Sequence, residues 1–125
     1  KNIINENDYC MSDVQIKELS ENNISIGCHS HYHLSMSNYS NEKLIKELIS
    51  SKKIIEKITD TECDSFAFPF GSKNDYSFNQ FEHIKRIGFS NIFLNINGIN
   101  KTNKTNEGIK RIILDNDTNL KYILG

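Results

Sequence analysis

Three of the chain's four histidines fall within five residues, His29-Ser30-His31-Tyr32-His33. Neutral imidazole is a good ligand for zinc and other borderline metals. The H-x3-H spacing of His29 and His33 suits a metal site, because a short loop lets both rings converge on one ion. Spacing alone leaves a second reading open, a polar loop with incidental histidines. A catalytic zinc takes three protein ligands and a water, so a carboxylate or another histidine must come from elsewhere. His31 is a candidate, but binding through His29 and His31 needs a very short loop while His33 turns in as well. A role facing solvent or substrate is expected of it instead. His83 lies in a helical stretch near Glu82 and Lys85 and reads as an exposed helix residue. The three cysteines, Cys10, Cys28 and Cys63, are odd in number and lack C-x-x-C spacing, so free and mostly buried thiols are expected. Cys28 adjoins His29, yet neighbours on a strand point to opposite faces, which makes it structural.

The elements around the histidines must bring them together. Ser12-Asp13-Val14-Gln15 is a capping box that opens a short helix through Leu19, closed by Asn22-Asn23. Ile24 to Cys28 alternates like a strand, and the histidines follow at its C-terminal end. That is the end at which α/β proteins build active sites. Ser40 caps a long helix in which Leu44, Leu48, Ile55 and Ile58 recur at helical spacing, with Ile45 and Ile49 beside them. Ser65 to Pro69 reads as a short strand running into a turn at Gly71. Ser77 caps a third helix, with Phe78, Phe81, Ile84 and Ile87 inward and Gly88 at its C-cap. Phe89 to Leu94 and Arg111 to Leu114 are further strands, and Thr118 to Leu124 is a closing helix. Residues 95–108, rich in Asn, Gly and Thr, read as a loop.

Strands alternating with helices predict an α/β fold with parallel pairing. About four strands is too few to close a barrel, where around eight is usual. The chain is then a small open sheet or part of a larger barrel.

Composition narrows the function classes. The 125 residues amount to one domain or part of one. Fifteen basic and 16 acidic residues are well mixed, giving a formal net charge of -1. There is no basic stripe of the kind that nucleic-acid binders carry. No apolar run approaches the roughly 18 residues of a membrane span, and mean hydropathy is -0.53. The chain starts at Lys1, as expected of a piece of a longer protein, and Lys1 to Glu6 forms no apolar leader core.

Taken together, these residues resemble a known family. Ile26-Gly27-Cys28-His29-Ser30-His31-Tyr32-His33 resembles the second motif of the NodB-like polysaccharide deacetylases (carbohydrate esterase family four), His-Ser/Thr-x-x-His after a strand ending in Gly. Ser65-Phe66-Ala67-Phe68-Pro69-Phe70-Gly71 resembles the third motif, in its Phe-Ala-Tyr-Pro-Phe-Gly variant. Met11 to Asn23 and Ile87-Gly88-Phe89-Ser90 are similar to the flanking elements, so the resemblance covers most of residues 10–94. It implies a distorted (β/α) barrel of which this chain, 1–125, is an incomplete portion lacking the first strands. It also implies a divalent metal, usually zinc, and a carbohydrate partner from which N- or O-acetyl groups are removed. His29 and His33 would be the metal ligands, with Ser30 supporting their loop. Pro69, Phe70 and Gly71 would form one wall of the substrate groove, the Phe70 N–H serving the oxyanion. An extracytoplasmic or cell-envelope location is what the family suggests.

The family's first motif, a strand with two adjacent aspartates, has no counterpart, because the chain holds no Asp-Asp pair. That motif supplies the base and the third ligand. The arginine often found in the third motif is Ala67 here, as in the variant resembled. The C-terminal histidine that often serves as general acid is also missing, since the last histidine is His83. Asp75 is a possible substitute carboxylate, or simply a turn residue in Lys73-Asn74-Asp75-Tyr76. Three functions compete: part of a metal-dependent sugar deacetylase, a catalytically incomplete relative that binds glycan or metal, and an unrelated small α/β module with an opportunistic metal loop.

Overall fold

The computed structural model of the chain describes residues 10–101 and 108–114. Its elements are α1 (Asp13–Glu21), α2 (Asn41–Thr59), β1 (Ser65–Ala67), α3 (Asn79–Arg86), β2 (Asn91–Asn97) and β3 (Ile109–Arg111). The three strands form one parallel sheet in the order β1-β2-β3. An α/β architecture with parallel pairing is therefore what the sequence predicted.

α1 begins at the expected capping box: the Ser12 side chain accepts from the Gln15 N–H, and the Gln15 side chain accepts from the Ser12 N–H. It ends two residues later than predicted. Asn23 adopts φ 65, Asn23 N–H donates to Ser20 O and Ile24 N–H to Leu19 O, the double closure of a left-handed helix cap. That cap explains a difference from the sequence reading. Ile24 to Cys28 does not form a strand, because Ile24 is committed to closing α1, and only Cys28 makes a bridge, to Phe66.

α2 is the main packing helix. Leu44, Glu47, Leu48, Ser51 and Thr59 are buried, a stripe at i, i+3, i+4 and i+7 in its first half. Ile55 is half-buried against the core, whereas Ile49 is exposed. Leu44 and Leu48 join Phe66 and Phe68 around β1, Ile92 and Leu94 of β2, and Phe81 and Ile84 of α3 in one core. Phe66 packs edge-on against Phe68 at 5.0 Å, and Phe68 stacks on Tyr76 at 5.0 Å. Alternation along β1 and β2 puts Phe66, Ile92 and Leu94 on this covered face, with Ser65, Ala67, Asn91 and Phe93 half-buried on the other.

α3 starts later than the sequence suggests. Ser77 does not cap it: Phe78 occupies the N-cap without a side-chain bond and is exposed. The inward position belongs to Gln80, whose Oε1 accepts from Ser77 N–H while its amide donates to Met36 O at 2.8 Å. β2 runs on to Asn97, so the predicted loop at 95–108 loses its first three residues to the strand. Ile96 packs against the core and the Asn95 N–H donates to Gly71 O. β3 lies at Ile109–Arg111 rather than Arg111–Leu114. Asn100 brackets Lys110, accepting from its N–H and donating to its carbonyl, and Asn97 Oδ1 takes the Ile113 N–H. Side-chain amides thus replace the ladder beyond Arg111. The predicted helix from Thr118 to Leu124 lies outside the described residues.

Candidate metal-binding site

Cys28 docks the histidine segment onto the sheet. Its N–H donates to Ser65 O at 2.8 Å, and its carbonyl accepts from Ala67 N–H at 2.9 Å. His29 is thereby set at the C-terminal end of β1, with Nδ1 2.9 Å from Ala67 O. A carbonyl oxygen can only accept, so Nδ1 carries the proton and Nε2 keeps its lone pair. A backbone carbonyl fixing one ring nitrogen so that the other can ligate is the usual support of a metal-binding histidine. The His33 ring lies edge-on to His29, centroids 4.8 Å apart, and both residues are exposed. The donor set therefore fits a divalent metal on its histidine side. Among the described residues, no group of three or more His, Cys, Asp or Glu comes together that could hold an ion.

The loop between these rings holds two residues in left-handed backbone, Ser30 at φ 68 and His33 at φ 53. Non-glycine residues seldom adopt this conformation. Glu47 of α2 organises it. Its Oε1 accepts from Ser30 Oγ at 2.7 Å and from the N–H groups of His31 and Tyr32, each at 3.1 Å. Ser30 Oγ in turn accepts from His33 N–H at 3.0 Å. Burial pushes the Glu47 carboxyl up, but the bonds from Ser30, Tyr32 and His31 outweigh it and hold the group below the usual carboxylate range. Sequence reasoning missed Glu47. It stands on the same buried stripe as Leu44, Leu48 and Ser51, a placement that only the packed structure distinguishes from the other glutamates of the helix. His31 has an exposed side chain whose ring packs edge-on against Tyr32 at 4.6 Å. His83 is half-buried on α3 rather than exposed.

The third motif meets the second through Phe70. Gly71 N–H donates to Pro69 O at 2.6 Å, closing a three-residue turn with Phe70 at φ 59. Phe70 is 55% exposed and its ring sits 5.1 Å from that of His33, edge-on. Its N–H has no hydrogen-bond partner among the described residues. Pro69 and Gly71 are buried behind it. The structure thus gathers His29, His33 and Phe70 at one place. Asp75 instead accepts from the N–H and hydroxyl of Ser72, bonds that hold its carboxyl below the usual range, the Ser72 hydroxyl foremost. It closes a turn, and its own carbonyl accepts from Met36 N–H.

Cys28 and Cys63 are free, buried thiols with sulfurs 3.4 Å apart, and Cys10 is free and exposed. The hydrogen bond to Cys63, aided by burial, pushes the Cys28 thiol well up, which accords with a structural role. A cleft of about 460 Å³ is lined by His31, Tyr32, Glu47 and α2 residues including Lys43 and Lys46. It includes neither His29 nor His33. No described helix is long and apolar enough to cross a membrane.

Comparison with solved structures bears out the architecture. A Streptococcus pyogenes deacetylase in complex with acetate superposes with a TM-score of 0.80 at 18% identity, over 91% of this chain and 49% of that one. A de-N-acetylase from Aggregatibacter actinomycetemcomitans gives 0.77 at 15%, over 98% and 55%. The BpsB deacetylase domain of Bordetella bronchiseptica gives 0.72 at 16%, over 90% and 52%. The chain thus spans about half the length of these proteins, and at such identities the likeness is one of fold. A comparison with curated proteins finds no significant match. The model of the polysaccharide deacetylase family matches residues 2–92, nearly three-quarters of the sequence, with both the histidine motif and the Phe66–Gly71 segment inside it. The chain belongs to the polysaccharide deacetylase family.

Proposed function

We propose that this chain is the histidine-bearing part of a divalent-metal-dependent deacetylase acting on an acetylated polysaccharide or amino sugar. The observation that carries the reading is the pair itself: His29 locked by Ala67 O with Nε2 free to ligate, and His33 beside it. Zinc is the metal best matched to two imidazoles. When bound, it would supply Lewis acidity toward an acetyl carbonyl and lower the pKa of water.

This chain's own residues do the rest of what can be assigned. His29 and His33 bind the ion. The exposed Phe70 ring walls the site beside His33, with Pro69 and Gly71 fixing the turn that presents it. The Phe70 N–H is a donor for the oxyanion that develops when an acetyl group is attacked. A carboxylate base, a third ligand and an acid for the departing group are needed as well, and we place them in the remainder of a distorted (β/α) barrel, encoded outside this chain. The half-buried sheet face carrying Ala67 and Phe93 supports that placement, because parallel sheets are normally covered on both faces.

Isothermal titration of the metal-stripped parent protein with zinc tests the reading. The parent binds zinc, and His33→Ala loses that binding. Equal binding by the two overturns the metal assignment. Zinc binding by the parent without release of acetate from acetylated amino-sugar oligomers would instead favour a relative that binds without turnover.

A further inference from the structure

Glu47 is 6% exposed, yet its carboxylate lies under the histidine loop and forms no ion pair among the described residues. A buried charge in such a place is costly unless it is well hydrogen-bonded. Here a single oxygen, Oε1, collects three donors, and all three belong to the residues between His29 and His33. Two of them are consecutive backbone N–H groups, so the bonds fix the path of the chain as well as one side chain. Ser30 relays the grip to His33 through the bond from His33 N–H to Ser30 Oγ. Both left-handed residues, Ser30 and His33, lie on this chain of bonds, and such backbone persists only where its surroundings over-determine it. At its other end, Glu47 stands on the buried stripe of α2 with Leu44 and Leu48, so the loop is referenced to the packed core.

We propose that Glu47 is a positioning residue that preorganises the His29–His33 loop, so that both imidazoles are in place before an ion arrives. The inference rests on the metal reading above. Its structural half does not: the three bonds from the loop to Glu47 involve neither the His29 nor the His33 imidazole. A loop ordered in advance leaves less disorder to be lost on binding, which raises affinity without a new contact. Supports one step removed from the ligands typically affect metal affinity by about 10–100-fold.

The test uses the full-length parent protein with Glu47→Gln, Glu47→Ala and His33→Ala, each compared with wild type by circular dichroism. Glu47→Gln keeps the size and an acceptor oxygen, so it remains informative even where Glu47→Ala does not fold. In the metal-free protein, amide exchange at His31 and Tyr32 is expected to quicken at least tenfold in Glu47→Ala and less in Glu47→Gln, with α2 core amides unchanged. Zinc affinity is expected to fall about tenfold or more in Glu47→Ala, with partial rescue in Glu47→Gln. Loop exchange and zinc affinity equal to wild type in the folded variants, with binding still lost in His33→Ala, overturns the role of Glu47. Quickened loop exchange in a protein whose wild type binds no zinc upholds the positioning and overturns the metal reading instead.

Discussion

At Gly71 the backbone adopts φ +66, and a Cβ would come within 2.7 Å of Asn95 N. Both the conformation and the space demand glycine, because the turn that presents Phe70 is pressed against β2. Gly71→Ala is therefore expected to destabilise the protein by about 1–3 kcal/mol, read from the midpoint of urea unfolding. A loss below about 0.5 kcal/mol, the range of ordinary surface changes, would mean that the turn relaxes at little cost. The residue scale is also where sequence was most legible. His29 and His33 stand out as candidates by type and spacing, and Phe70 by its motif, and the structure brings the three rings together. Glu47 does not stand out, because a glutamate in a helix rich in Lys and Glu looks like every other until the burial of its neighbours is known. Its three bonds come from a loop 15 to 17 residues away, a distance at which no local pattern speaks.

Among the elements, α2 connects both parts of the site. Near its start Glu47 holds the histidine loop, and near its end Glu56 accepts from Cys63 N–H just before β1. The Cys63 N–H holds the Glu56 carboxyl below its ordinary range, Lys52 at 3.1 Å assisting against partial burial. A depressed carboxylate contributes stability that is complete above the ordinary glutamate pKa, about 4.3. That contribution is lost as pH falls through the lower folded-state value. The stability difference between wild type and Glu56→Gln should therefore shrink on acidification below about pH 4, measured by urea unfolding across pH. A difference that stays constant would show that charge at Glu56 is not what counts. The first two helices were read well from sequence because capping residues and 3.6-residue spacing are local, as at Ser12 and Ser40, whereas the cap expected at Ser77 did not form. Strands were read less well. Whether Ile24–Cys28 pairs depends on a neighbouring strand, and β3 is set by the amides of Asn97 and Asn100, side chains that composition marks only as loop formers.

For the molecule as a whole, the sheet carries the likeness of fold to the solved deacetylases, and its second face supports the proposal that further chain completes it. Helices α2 and α3 cover one face, while Ala67 and Phe93 sit half-buried on the other. Among the described residues, β1 has β2 on one side and only the Cys28 bridge on the other. A barrel closed by further strands would cover that face and bring a carboxylate to His29 and His33. On this account the 125 residues alone release no acetate from acetylated amino-sugar oligomers, whereas the parent does. Efficient turnover by the isolated chain would contradict the claim that base and third ligand lie elsewhere. The most direct test of the account is an anomalous difference map at the zinc edge from crystals of the zinc-loaded parent protein. One strong peak is expected within ligand distance of His29 Nε2 and a His33 ring nitrogen, about 2.0–2.1 Å from each. A carboxylate from outside residues 1–125 should complete the shell. No peak there, or an ion held without either histidine, would contradict it.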